Sequence, residues 1–331
     1  MSAQGRLTRG LVGALKFLIA AAMLYLLVYF QLVDLSVLAS FRHHIGTAVI
    51  VMAVVLLSYA TASLRWWLLF RIQGFRLSYG QVFNANYLGA FSLVFVPGAG
   101  GEAVRMMLAM RLAASERARA ALTVFGDRVL AIATLSMWAA GATAAKWSSL
   151  PAALRPLGMV MLAAPVAIVL ASVAMMQIAA RLELRVPGNA GRMRTLLLGL
   201  ARSSIEFLAI LRANPRGAVC AAAASLLTTG LVLSNILMVA HAYALPYLTL
   251  GDYLFAAPVA MVINTIPLSP GGIGVGEAAF DRLCNWLAGA SDPIPYATIY
   301  LTYRILAIIV ASYGVVPLLN VRRLAAQAAE G

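Results

Sequence analysis

The sequence predicts an all-α polytopic membrane protein, with about six spanning helices and two re-entrant or broken helix pairs in inverted repeats. Three observations carry that prediction. The 331 residues are 63% hydrophobic and only 11% charged, with a mean hydropathy of +0.90, so the chain cannot cover a soluble domain with polar surface and lipid must be its solvent. Apolar runs near the ~20 residues that a helix needs to cross the hydrocarbon core recur along it. A Pro-Gly break, followed by a glutamate and then by an arginine-bearing apolar helix, occurs twice.

In chain order, full-length apolar runs fall at about 11–33, 45–70, 120–146, 152–180, 217–245 and 297–320. The first, Leu11 to Leu32, has no small-residue cleavage pattern after it, so it reads as a retained anchor rather than a removable signal. Two further apolar regions, at about 81–112 and 250–290, are interrupted by Gly and Pro. Each half is too short to span, and irregular backbone at membrane depth survives only where it is buried in protein or lines a wet cavity. Arg181 to Arg216 is the one sizeable polar stretch. Within it, apolar residues between Thr195 and Leu211 approximate a single face flanked by arginines, as in a helix lying on the membrane surface. One integral membrane domain over 1–331 follows. It has a first repeat at about 81–146, a cytoplasmic amphipathic segment at 181–216 and a second repeat at about 250–320.

The chain holds 25 Lys and Arg against 11 Asp and Glu, a net charge of +14. These cations sort by loop. Arg6, Arg9, Arg71, Arg76, Arg117, Arg119, Arg192, Arg216 and Arg322 fall in one set of loops and tails, while only Arg42, Lys146 and Arg155 fall in the alternate set. That bias places both termini in the cytoplasm. The basic excess is therefore a topology signal and a grip on anionic headgroups, not a nucleic-acid footprint. With this orientation the helix bearing Arg128 runs outward and the one bearing Arg304 runs inward, so the repeats are inverted. Cys220 and Cys284 are far apart, and His43, His44 and His241 lack zinc spacing. No metal or other cofactor is expected.

The first break reads FVPGAGGEAVR (Phe95 to Arg105) and is followed by DRVLAI from Asp127. The second reads IPLSPGGIGVGEAAFDR (Ile266 to Arg282) and is followed by YRILAI from Tyr303. Inverted repeats of this kind place a transport-type site between their two copies. Gly98, Gly100 and Gly101, and likewise Gly271, Gly272, Gly274 and Gly276, immediately precede or open a half-helix. A helix amino terminus offers unpaired N–H groups and the positive end of a dipole, and glycines permit close approach by an anion.

Charges at membrane depth are expensive, so Arg65, Glu102, Arg105, Asp127, Arg128, Glu277, Asp281, Arg282 and Arg304 are functional candidates. Five of them are cations and four anions, which leaves about one positive charge for a ligand. The substrate-binding set is taken as the seven glycines with Glu102, Arg105, Asp127, Arg128, Glu277 and Arg304, because the planar arginine fork suits phosphate. A purely structural reading stays open. In it the glutamates cap the half-helices, the arginines form buried ion pairs that fix register, and Asp127 partners Arg128 or Arg105. Arg65, in LRWWLLF, has a snorkelling alternative beside Trp66 and Trp67. Asn84, Asn86, Asn235 and Asn264 read first as interhelical bonds. No Ser/His/Asp set or isolated acid pair is present, so no catalytic residues are assigned.

With these residues in view, the chain resembles the membrane-domain family of lysylphosphatidylglycerol synthases and flippases. The matching stretches are LRWWLLF (Leu64 to Phe70), NYLGAFSLVFVPGAGGEAVR (Asn86 to Arg105), FGDRVLAI (Phe125 to Ile132), INTIPLSPGGIGVGEAAF (Ile263 to Phe280) and the terminal YRILAI. The resemblance implies a domain that moves a lipid between leaflets, while synthesis belongs to a separate soluble domain that this sequence lacks. Stand-alone relatives are associated with hopanoid biosynthesis and archaeal glycosylation. The expected partners are membrane lipids, including anionic ones, and lipid-biosynthesis enzymes; the expected site is a bacterial inner membrane. The expected activity is flippase-like translocation by alternating access. A lipid-linked glycosyl or aminoacyl transferase and a non-transporting scaffold of a lipid-synthesis complex remain as alternatives.

Overall fold

The computed structural model describes Tyr25, Tyr29, and residues 34–95, 100–113, 116–184, 206–207, 209–265, 273–289 and 292–314. Among these residues the secondary structure is helical with no strand. Backbone amides in lipid have no water to bond, so a chain this apolar satisfies them within helices.

After a short helix α1 (Leu35–Ser40) and a turn of 3-10 helix, the first long helix is α2 (Ile45–Ile72). Asp34 caps α1, accepting from Ser36 N–H at 2.7 Å; the Ser36 hydroxyl and these amides hold its carboxyl below the usual carboxylate range. The end of α2 is set by Gly74, whose φ of +83° lets Phe75 N–H reach Phe70 C=O and Gly74 N–H reach Arg71 C=O, both at 3.0 Å. A contact between the Phe70 and Phe75 rings at 5.6 Å completes this stop signal.

The first broken region is a hairpin of α3 (Tyr79–Phe95) and α4 (Gly100–Leu112). Then come α5 (Arg117–Lys146), α6 (Arg155–Leu184) and α7 (Pro215–Tyr243), the last opening on a proline at its first position. The second broken region is a hairpin of α8 (Leu250–Asn264) and α9 (Val275–Ala288), and α10 (Ala297–Ala311) follows it. At 1.5 Å per residue the hairpin helices are about 20–26 Å long, short of the ~30 Å hydrocarbon core.

Five helical stretches are long and apolar enough to cross a membrane: Leu35–Ile72, Arg117–Ser149, Ala152–Ser172, Pro215–Tyr243 and Ala297–Gly314. They correspond to five of the six expected spans. The sixth, at 11–33, lies outside the described residues, as do most of the surface segment at 195–211 and the tail beyond Gly314.

Helices α2 and α7 form the most extensive contact and make the central spine. Hydroxyl bonds knit it at membrane depth: Thr228 to Thr61 at 2.9 Å, and Thr134 with Ser225 at 2.8 Å, joining α5 to α7. Each hairpin packs against its own following helix and also against the long helix of the other half, α8 on α5 and α3 on α10. At the far end of α5, Lys146 pairs with Asp252, whose carboxylate also accepts from Thr249 N–H at 2.7 Å at the start of α8.

Candidate functional site: a charged cavity between the repeats

The residues on either side of the first break converge first. Glu102 lies in the opening turn of α4 and Arg105 one turn later on the same face. Arg105 is 3% exposed. Its guanidinium donates to Asp127 at 2.8 Å, reaches Glu102 at 3.4 Å, and lies 4.5 Å from the centre of the Trp66 ring. This path needs Gly89: a Cβ there would come within 2.1 Å of Arg105 Cγ. Asp127 is fully buried and also accepts from Arg65 Nε at 2.6 Å.

Arg65 does not snorkel to the interface. It turns inward from α2, bonds Ser225 at 3.1 Å and is 6% exposed, because a second cation beside Asp127 offsets the desolvation of both. Trp66, at 0% exposure, is likewise no interfacial anchor; its indole N–H donates to Thr123 at 3.1 Å. Arg128, adjacent to Asp127 in sequence, instead pairs with Glu102. Its side chain remains 46% exposed and that of Glu102 28%.

The second break builds a tighter version. Gly274 has a φ of +87°, a conformation suited to glycine, and its N–H donates to the Glu277 carboxylate at 2.9 Å. Glu277 thus caps its own half-helix, as the structural reading of the sequence had it. The same carboxylate receives Arg304 Nε at 2.6 Å, with side-chain exposures of 0% and 12%. Arg304 also reaches Asn264 at 3.4 Å and lies 5.6 Å from the Tyr300 ring centre. Gly276 leaves room for this arrangement, since a Cβ would sit 2.9 Å from Asn264 Oδ1.

Both constellations border one cavity of about 320 Å³. Arg65, Glu102, Arg105, Arg128 and Arg304 line it with Tyr59 and Asn86, and its remaining wall is apolar, including Ala307, Ile308 and Ala311 of α10. Asp127 and Glu277 stand behind the wall as counter-ions. Gly100 and Gly101 open α4, whereas Gly98, Gly271 and Gly272 lie outside the described residues. Asp281 and Arg282 do not join the cluster. Asp281 accepts from Ala297 N–H at 3.0 Å, tying α9 to the start of α10, and Arg282 is exposed.

Sequence reasoning missed Gly89, Trp66 and Tyr300 as supports of the arginines. Their only signal was proximity in sequence to the charged positions. Among the described residues no group of three or more His, Cys, Asp or Glu side chains could hold a metal ion. An array of guanidiniums with part of its donor capacity facing a cavity suits recognition of phosphate or carboxylate oxygens.

The family described as Lysylphosphatidylglycerol synthase TM region matches residues 13–313, nearly the whole chain. None of the curated proteins matches it.

Proposed function

The chain belongs to the lysylphosphatidylglycerol synthase transmembrane-region family, and on that premise we propose that it translocates a polar-headed lipid between the leaflets of a membrane. The observation that carries this reading is the shared cavity, which draws arginines from both repeats onto one volume with apolar walls. A lipid headgroup needs its hydration replaced at membrane depth, while its tails need none. Arg128, half exposed on the cavity wall, makes the first contact with headgroup oxygens. Arg105 and Arg304 complete the polar surround, and Glu102 yields Arg128 to the ligand. Gly100, Gly101, Gly274 and Gly276 keep the half-helix ends close to the site. Rocking of the two halves about the α2–α7 spine then presents the headgroup to each side in turn. The sorting of arginines among the loops supports an orientation with both termini cytoplasmic.

A sided assay in reconstituted vesicles tests the proposal. Labelled lipids in the inner leaflet should become accessible to an outer-leaflet quencher faster with the protein than without it. Arg128→Ala, in protein of unchanged thermal stability, and Arg304→Ala, in protein shown to be folded though less stable for the loss of its pair with Glu277, should each remove most of that acceleration. Acceleration that survives both substitutions would sink the headgroup assignment.

A further inference from the structure

The cavity holds an uneven charge count. Among the described residues four guanidiniums line it, Arg65, Arg105, Arg128 and Arg304. Three carboxylates answer them, Glu102, Asp127 and Glu277, each within ion-pair distance of at least one arginine. The two breaks bring no further ionisable side chain, since residues 96–99 and 266–272 read VPGA and IPLSPGG. With every pair ionised, one positive charge is left over. Resting on the lipid-translocation reading above, we propose that the cavity is matched to a headgroup of one net negative charge, so that the loaded site is electrically neutral.

The physical ground is the cost of charge at low dielectric. A guanidinium cluster facing apolar walls can carry one surplus charge only while the cavity is open to water. Once the site closes on a ligand that water leaves, and the loaded state of lowest energy is the one with no net charge. A single phosphodiester meets this condition. A zwitterion leaves the surplus unbalanced, and a dianion inverts it. Two oxygens of one phosphate also suit the fork of Arg128, which now spends one nitrogen on Glu102. The surplus is shared around Glu102, because Asp127 is held by two arginines of its own and Glu277 by Arg304 and Gly274.

The test varies ligand charge and site charge together. Fluorescent phosphatidylglycerol (one negative charge), phosphatidylcholine (none) and phosphatidic acid at about pH 9 (two, a phosphate monoester having lost most of its second proton there) are compared in vesicles. Wild-type protein should move phosphatidylglycerol at least about tenfold faster than either other lipid, the least that an unbalanced charge at membrane depth should impose. Glu102→Gln raises the site by one charge and should turn the preference toward phosphatidic acid. Arg128→Gln lowers it by one and should turn what transport remains toward phosphatidylcholine. The double variant restores the count and should restore the wild-type order, at whatever absolute rate. Preference that stays fixed across all four proteins overturns charge matching while leaving translocation standing. Folded wild-type protein that moves none of the three lipids overturns both.

Discussion

The two glutamate–arginine pairs occupy matching places in the two repeats yet are built to different ends. Glu102–Arg128 stands open to the cavity, and Glu102 divides its oxygens between Arg128 and Arg105. Glu277–Arg304 is closed: the acid is fully buried, caps α9 and faces an arginine whose side chain is 12% exposed. A partly solvated pair exchanges partners at little cost, whereas breaking a sealed one leaves a charge stranded at low dielectric. On the translocation reading proposed above, the first repeat holds the pair that a ligand can open, and the second holds the pair whose loss costs more stability. Inverted repeats that alternate would exchange these roles in the opposite state.

Substitutions can break or sharpen this contrast. The largest effect should come from Asp127→Ala, which strands Arg65 and Arg105 together; loss of about 3–5 kcal/mol should appear as a collapse of folded yield and of the thermal transition in detergent. Next, Glu277→Gln should lower stability by about 2–4 kcal/mol through loss of ion pair and cap, whereas Glu102→Gln should lower it by no more than about 1 kcal/mol. Equal losses in thermal unfolding would erase the distinction between the two repeats. Gly89→Ala should cost about 1–3 kcal/mol, because Arg105 must leave its track across α3. Gly141→Ala, where a Cβ meets nothing within 4 Å, should instead stabilise α5 by up to about 1 kcal/mol.

The smallest effect concerns pH. Asp34 has its carboxyl depressed below 3.8 by the Ser36 and Val37 bonds, so its contribution is present above that value and is lost as pH falls through the lower folded one. Asp34→Ala should therefore weaken α1 slightly at neutral pH and flatten the acid limb of the stability curve below about pH 4.

Much of this architecture could be read before any coordinates. The broken regions at 81–112 and 250–290 became two hairpins because glycine and proline interrupt apolar sequence at lengths too short to span. Arg128 and Arg304 were found as equivalents because each is separated by one residue from a following Leu-Ala-Ile and stands 26 or 27 residues after a glutamate. Partnership could be read only in part: Asp127 with Arg105 was one of two expected pairings, but its second arginine, Arg65, was not expected. Asp127 sits beside Arg128 in the chain, yet successive helical residues point about 100° apart, so the acid turned to Arg65 and Arg105 instead. Arg65 kept an interfacial alternative beside its candidate role because Trp66 and Trp67 follow it; only the packing of α2 against α5 and α7 buries it. Gly89 was invisible as a support, since its role is to leave space for a side chain that arrives from another helix.

The exchange of contacts between halves has a further consequence. Helix α8 leans on α5, and α3 leans on α10, so each broken hairpin is shelved on a long helix from the opposite half. The halves are therefore interlocked like clasped hands, and neither can be withdrawn whole. Produced as two polypeptides divided within residues 185–205, each should be degraded alone, and the two should assemble into a working molecule when made together.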